Sequence, residues 1–235
     1  MMMKPRQTIR LASSRQAGMA VLPLRLTPYA WRKLLFLRDL GPTEVGGFGI
    51  SAHDDLLLLE DISLVKQQCS PVTVKFDDQA VADHFDDYVD LGYEVERFAR
   101  IWVHTHPGDS ASPSSTDEKT FARCFGSSDW AIMFILADGG ETYARLALNA
   151  GPGGDVMLPV EVDFSRPIPA SQEQDWEQEY LAAVTAEPSI EVLRGESQLK
   201  SAARVSLGID ASLDDDWLHD PFFYSERLEV SGERF

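Results

Sequence analysis

The sequence predicts an α/β or α+β domain followed by a C-terminal extension. Three observations carry this expectation. Segments patterned as strands alternate with segments patterned as helices up to about residue 165. Hydrophobic residues make up 44% of the 235, enough for a core. The strongly apolar stretches are short, the longest being Leu56–Leu59 and Ala131–Ala137, so none can cross a bilayer.

The elements follow in order. "VLPLRLTPYAWRKLLFLRDLG" reads as a short strand and then a helix. Thr27 can cap that helix, Pro28 suits its first position, and Gly41-Pro42 stops it. "EVGGFGISAHDDLLLLEDISLVKQ" reads as two strands around a turn at His53-Asp54-Asp55. The leucine run suits a strand buried on both faces. Residues 66–78 read as a loop. In the next segment Val81, Phe85, Tyr88 and Val89 fall near helical spacing with acids between them, so an amphipathic helix should end near Gly92. "ARIWVHTHP" is a strand by its β-branched and aromatic content, and Asp117–Phe125 a helix. "WAIMFILAD" and "ETYARLALN" are strands joined at Gly139-Gly140, a hairpin signal.

After Asn149 the pattern loosens. "VMLPVEVDF" reads as one strand, and "SQEQDWEQEYLAAVTAE" as a helix with Trp176, Tyr180 and Val184 spaced four apart. No internal repeat is present. The expected plan is a flexible leader over residues 1–19, a folded domain over 20–165, and a helical, acidic and aromatic extension over 166–235.

Charge narrows the partners. The net charge is −17. Residues 1–38 carry eight Lys/Arg and no acid, so the remainder has 13 basic against 38 acidic residues. Such a body repels nucleic acid phosphates, and no nucleic acid partner is expected. A basic or neutral protein surface suits it better. The leader is basic and Ser-rich but lacks the apolar centre of a secretory signal. Cys69 and Cys124 are far apart and match no zinc or redox spacing. A cytoplasmic, reducing location and no membrane association are therefore expected.

The chemistry concentrates in "VHTHPGDSASPSSTDEKTF", Val103 to Phe121. Two of the five histidines stand there as H-x-H. In a strand, residues i and i+2 share a face, so His104 and His106 can ligate one ion. Pro107 ends the strand. Ser114 with Asp117 three residues later fits a capping-box variant, which sets Asp117 in the first turn of a helix and able to turn toward the histidines. Two His and one Asp leave zinc a fourth position for water, as in a catalytic site. A base is then needed. Glu44, beside Gly46-Gly47, is the candidate to take the proton and pass it to a leaving amine. Ser114 is free to hydrogen-bond an oxyanion. No one of these features is specific alone; the combination is.

The combination resembles the JAMM motif of the MPN+ (Mov34/PAD-1, JAB domain) metallopeptidases. That motif has an upstream Glu, then H-[S/T]-H-P, seven residues from the second His to a Ser, and Asp three after it. Pro107 to Pro113 are the seven here, and the resemblance covers roughly residues 20–150. It implies zinc ligands at His104, His106 and Asp117, a general acid/base at Glu44, and a residue steadying the tetrahedral intermediate at Ser114. It implies a fold similar to the cytidine-deaminase-like three-layer α/β/α sandwich with a central mixed sheet. It further implies hydrolysis after the C-terminal glycine of a ubiquitin-like or sulfur-carrier protein. Two rival readings stand beside it: a zinc-holding MPN scaffold with little turnover, and a RadC-like DNA-repair-associated protein, whose H-x-H-P…P-S-x-x-D pattern is similar. Deaminase chemistry is not indicated, since H-x-E and P-C-x-x-C are missing.

Lesser features have plainer expectations. His53 and His84 should be solvated. His219 lies in the acidic tail, and Asp109 should be a turn residue. Trp102 should pack in the core, and Cys124 should be a small core residue. The "WLHDPFFY" cluster should cover the domain's own surface.

Overall fold

The computed structural model describes residues 22–187, in which strands and helices alternate around one large mixed sheet. The leader 1–19, His219, the "WLHDPFFY" cluster and the tail beyond residue 187 lie outside the described residues.

The chain enters through strand β1 (Leu24–Leu26) and turns directly into helix α1 (Pro28–Asp39). Thr27 is extended and accepts the Ala30 N–H at 3.1 Å, and Pro28 opens the first turn, as expected. Strands β2 (Gly46–Ala52) and β3 (Asp55–Ser63) then form an antiparallel pair. Residues 66–78, expected to be a loop, instead hold two short strands, β4 (Gln67–Ser70) and β5 (Thr73–Phe76). Helix α2 (Asp78–Asp90) follows, capped by Asp77 and closed by Gly92 at φ 80°. A short helix α3 (Val95–Phe98) leads into strand β6 (Ile101–His106). Helix α4 (Ser115–Phe125) and the hairpin of β7 (Trp130–Ala137) and β8 (Thr142–Leu148) come next. Gly140 supplies the positive φ of 86° that the hairpin turn requires.

"VMLPVEVDF" is two strands rather than one. Strands β9 (Gly154–Met157) and β10 (Val160–Val162) are separated at Leu158-Pro159, and they occupy opposite edges of the sheet. Proline lacks the N–H that a continuous ladder needs. Helix α5 (Glu173–Ala183) ends one residue before Val184, which begins strand β11 (Val184–Ala186) and pairs parallel with β4. The spacing of Trp176, Tyr180 and Val184 suggests one continuous helix, but Val184 and Thr185 are β-branched, and the edge of β4 captures them.

The large sheet runs β10-β1-β3-β2-β6-β7-β8-β9, with β6 and β7 parallel at its centre. Apolar residues pack on both faces. On one, Ala30 and Leu34 of α1 meet Leu59, Ile101, Val103 and Phe134. On the other, Phe121 and Phe125 of α4 meet Phe48, Trp102 and Met133, with Val81 and Phe85 of α2 alongside. Helix α5 docks on α1, where the Trp176 indole donates to Tyr29 Oη at 3.0 Å. Lys33 of α1 is buried between Asp61 (3.0 Å) and Glu179 (2.7 Å). Burial opposes its charge, but the two carboxylates prevail and raise its pKa.

Two residue-level expectations are corrected. His84 is 6% exposed rather than solvated: its ring stacks on Phe48 at 4.7 Å, and the acids beside it carry the exposed face of α2. Cys124 is exposed, because Asp117, Phe121 and Phe125 form the buried face of α4. Among the described residues no helix is long and apolar enough to cross a membrane.

Candidate metal centre

β6 lies between β2 and β7, so its residues are held from both sides. His104 pairs with Gly46 of β2 and Ile135 of β7, and His106 with Ala137. Alternation along the strand sends Trp102, His104 and His106 to one face and Thr105 to the other. Thr105 works there. Its Oγ1 accepts the Val45 N–H at 3.0 Å, and its own N–H donates to the Val45 carbonyl at 2.9 Å. This clamps the residues just before β2 against β6 and brings Glu44 beside His106.

The glycines of β2 permit a second clamp. A Cβ on Gly47 would sit 2.7 Å from the Ser63 carbonyl oxygen, and one on Gly46 would meet Val74 and Phe76. The β4–β5 hairpin can therefore close over the start of β2. Gln67, buried there, accepts the Gly46 N–H and donates to the Gly46 carbonyl, each at 2.8 Å. The Glu44 N–H donates to the Ser70 carbonyl at 2.9 Å. Glu44 is thus pinned by backbone contacts on two sides, with its carboxyl buried.

The third donor comes from α4. Ser114 Oγ accepts the Asp117 N–H at 3.1 Å, and Asp117 Oδ2 accepts the Ser114 N–H at 2.6 Å, a reciprocal capping box. Asp117 is 3% exposed and lies between the imidazoles. Its Oδ1 is 3.6 Å from His104 Nε2 and its Oδ2 3.6 Å from His106 Nε2. Glu44 Oε1 is 3.8 Å from His106 Nε2. Ser114 itself is solvent-exposed, and its Oγ is engaged as an acceptor by the Asp117 N–H, which leaves its O–H proton to donate.

These separations are too long for hydrogen bonds. His104 Nε2, His106 Nε2 and Glu44 Oε2 are buried and have no hydrogen-bond partner. Buried polar atoms in that condition are costly. Donors bound tetrahedrally at about 2.0–2.1 Å from one ion stand roughly 3.4 Å apart. The 3.6 Å gaps, each to a different oxygen of Asp117, are close to that spacing; one donor atom from each of the three residues lies within 4.8 Å of the others, so His104, His106 and Asp117 could hold a metal ion. The donor set, two imidazoles and carboxylate oxygen, suits zinc chemically.

Electrostatics distinguish the groups. Burial alone would raise the Asp117 pKa, but the two imidazoles and the Ser114 N–H overcome it and hold the carboxyl well below its usual range. Glu44 goes the other way: burial, with Asp117 adding repulsion and His106 opposing, pushes it up to about 7. Complete burial lowers His104. Asp117 raises His106 against its burial, helped by the Ser110 carbonyl and Glu44. His106 Nδ1 lies 3.0 Å from that carbonyl, which can only accept, so in the neutral ring Nδ1 carries the proton and Nε2 presents its lone pair to the centre.

Four of the five expected site residues therefore converge, and Ser114 adjoins them through the helix cap. Reading the sequence missed Thr105, Gln67 and the Ser110 carbonyl. The first two hold the Glu44–Gly46 segment through side-chain-to-backbone bonds, which leave no pattern in a sequence. The scan of known protein families finds no matching model for this chain, and no curated protein matches it.

Proposed function

We propose that the chain is a zinc-dependent peptidase or isopeptidase of the JAMM/MPN+ type, on a cytidine-deaminase-like α/β/α sandwich. Its substrate is a ubiquitin-like or sulfur-carrier protein with an extended, glycine-terminated tail, cleaved after that glycine. One observation carries the reading: two imidazoles and two carboxylates from three separate segments face one small volume, and four of their buried atoms lack hydrogen bonds.

His104, His106 and Asp117 would hold the ion. Bound there, zinc would supply Lewis acidity, polarising a carbonyl and acidifying water. Glu44 handles the proton. Its buried carboxylate, 3.8 Å from His106 Nε2, can accept a proton from the attacking water and return it to the leaving amine. Asp117 stays ionised and fixed by the capping box. Ser114 O–H donates toward the oxyanion that develops on the attacked carbonyl. The acidic body favours a basic or neutral substrate surface over a nucleic acid.

The test is cleavage of linear ubiquitin-like fusions by the zinc-loaded protein, beside Glu44→Gln. The substitution should lower kcat by about 10²–10⁴ and leave zinc bound. A wild-type protein that binds zinc but cleaves no such fusion would favour a scaffold of the same fold.

A further inference from the structure

The two histidines are held in different ways. A metal-binding imidazole usually donates its second N–H to an acceptor, which fixes the ring. His106 does so, through Ser110. His104 does not: it is 0% exposed, and neither of its ring nitrogens has a hydrogen-bond partner. The His χ2 torsion is intrinsically broad, so an unbonded ring needs another constraint.

Trp102, two residues earlier on β6, supplies a flat one. Its ring lies 4.2 Å from the His104 ring, centroid to centroid, with the planes 26° apart. Trp102 is 2% exposed and is stacked in turn near Phe125 of α4, at 6.4 Å and 20°. Phe125 stacks on Phe121 at 5.4 Å. The row of rings therefore runs from His104 into α4, the helix that carries Asp117. We propose that Trp102 is the positioning residue of this centre: its indole sets the plane of the His104 imidazole by stacking and ties that plane to the helix bearing Asp117. The Asp117 carboxylate then decides which edge of the ring is presented, since a half-turn about χ2 preserves the stack. The indole face also favours the positive charge that an imidazole gains on binding a cation. This role rests on the metal reading above.

The test compares Trp102→Phe, Trp102→Leu and Phe134→Leu. Phe134 is a fully buried ring of the opposite sheet face, so its variant controls for general loss of core. Zinc affinity is measured by competition with a chromophoric chelator, Co²⁺ absorption reports ligand geometry, and thermal melts report folding. Trp102→Leu should weaken zinc binding about 10- to 100-fold, as losses around a metal ligand do, and shift the Co²⁺ bands. Trp102→Phe should stay within about threefold of wild type, because it retains a ring. Phe134→Leu should melt earlier with affinity unchanged. Wild-type affinity and Co²⁺ spectrum in Trp102→Leu would overturn the proposal, as would an equal loss of affinity in Phe134→Leu. A wild-type protein that binds no zinc would instead overturn the metal reading, and the positioning role with it.

Discussion

Ser114 and Asp117 hold each other: the serine Oγ accepts the aspartate N–H at 3.1 Å, and the aspartate Oδ2 accepts the serine N–H at 2.6 Å. The same carboxylate reaches to 3.6 Å from each imidazole. One local motif thus starts a helix and aims a carboxylate at both imidazoles.

Ser114→Ala should therefore act on two quantities. Loss of the cap should cost about 1 kcal/mol of stability. Asp117 keeps its bond from the residue 114 N–H, so zinc affinity should fall far less than in Asp117→Ala. Thermal melts and chelator competition on both variants check this. Equal losses of zinc would show that the serine itself is needed at the ion.

Glu44→Gln should raise the melting temperature of the metal-free protein at neutral pH. Glu44 is 4% exposed and its Oε2 has no partner, so its charge is buried at a cost. The proposed acid/base role would trade stability for chemistry. A melt in chelator decides the matter, and a lower melting temperature for the variant would count against an acid/base role bought with stability.

Gly47→Ala should destabilise the fold by roughly 1–3 kcal/mol. Its Cβ would stand 2.7 Å from the Ser63 carbonyl oxygen, which is backbone and cannot swing away. Because residues 44 and 45 lie just upstream, the proposed zinc-dependent cleavage should fall further than stability alone explains. Denaturant titration together with kcat/KM separates the two effects.

His84 should make stability fall in mild acid. Burial against Phe48, Tyr88 and Phe98 lowers its pKa, with the Phe98 backbone and Asp87 opposing. Ser63 Oγ lies 3.4 Å from its Nδ1, and Tyr88 and Asp87 are the ionisable groups beside it. The unfolded chain then binds the proton first, so this contribution is complete above about pH 6.5 and is lost as pH falls from there through the lower folded value. Melts from pH 8 to 5 should show a shallower decline for His84→Gln than for wild type. Parallel curves would contradict the burial account.

Local features were the legible ones. The H-x-H pair and the capping box follow from two-residue and three-residue spacings, and the structure places His104, His106, Ser114 and Asp117 accordingly. The Thr27 cap and the Gly92 stop were legible for the same reason. Glu44 lies sixty residues from His104 in sequence, so no short spacing connects them; its place beside Gly46-Gly47 and the likeness to a known motif did. The hairpin of β4 and β5 was missed because "QQCS" and "TVKF" carry few apolar residues, and its pairing with β11 depends on a segment more than a hundred residues away. His84 was misjudged because its acidic neighbours on α2 face solvent while its own ring faces the aromatic cluster. Non-local packing set each of these outcomes.

Zinc stoichiometry, measured by elemental analysis on wild type, His104→Ala, His106→Ala and Asp117→Ala after dialysis against trace zinc, addresses the centre itself. One zinc per wild-type chain, and well under half in each variant with folding intact by circular dichroism, is the predicted result. Metal-free wild type, or variants that keep a full equivalent, would contradict the assignment of these three residues to an ion.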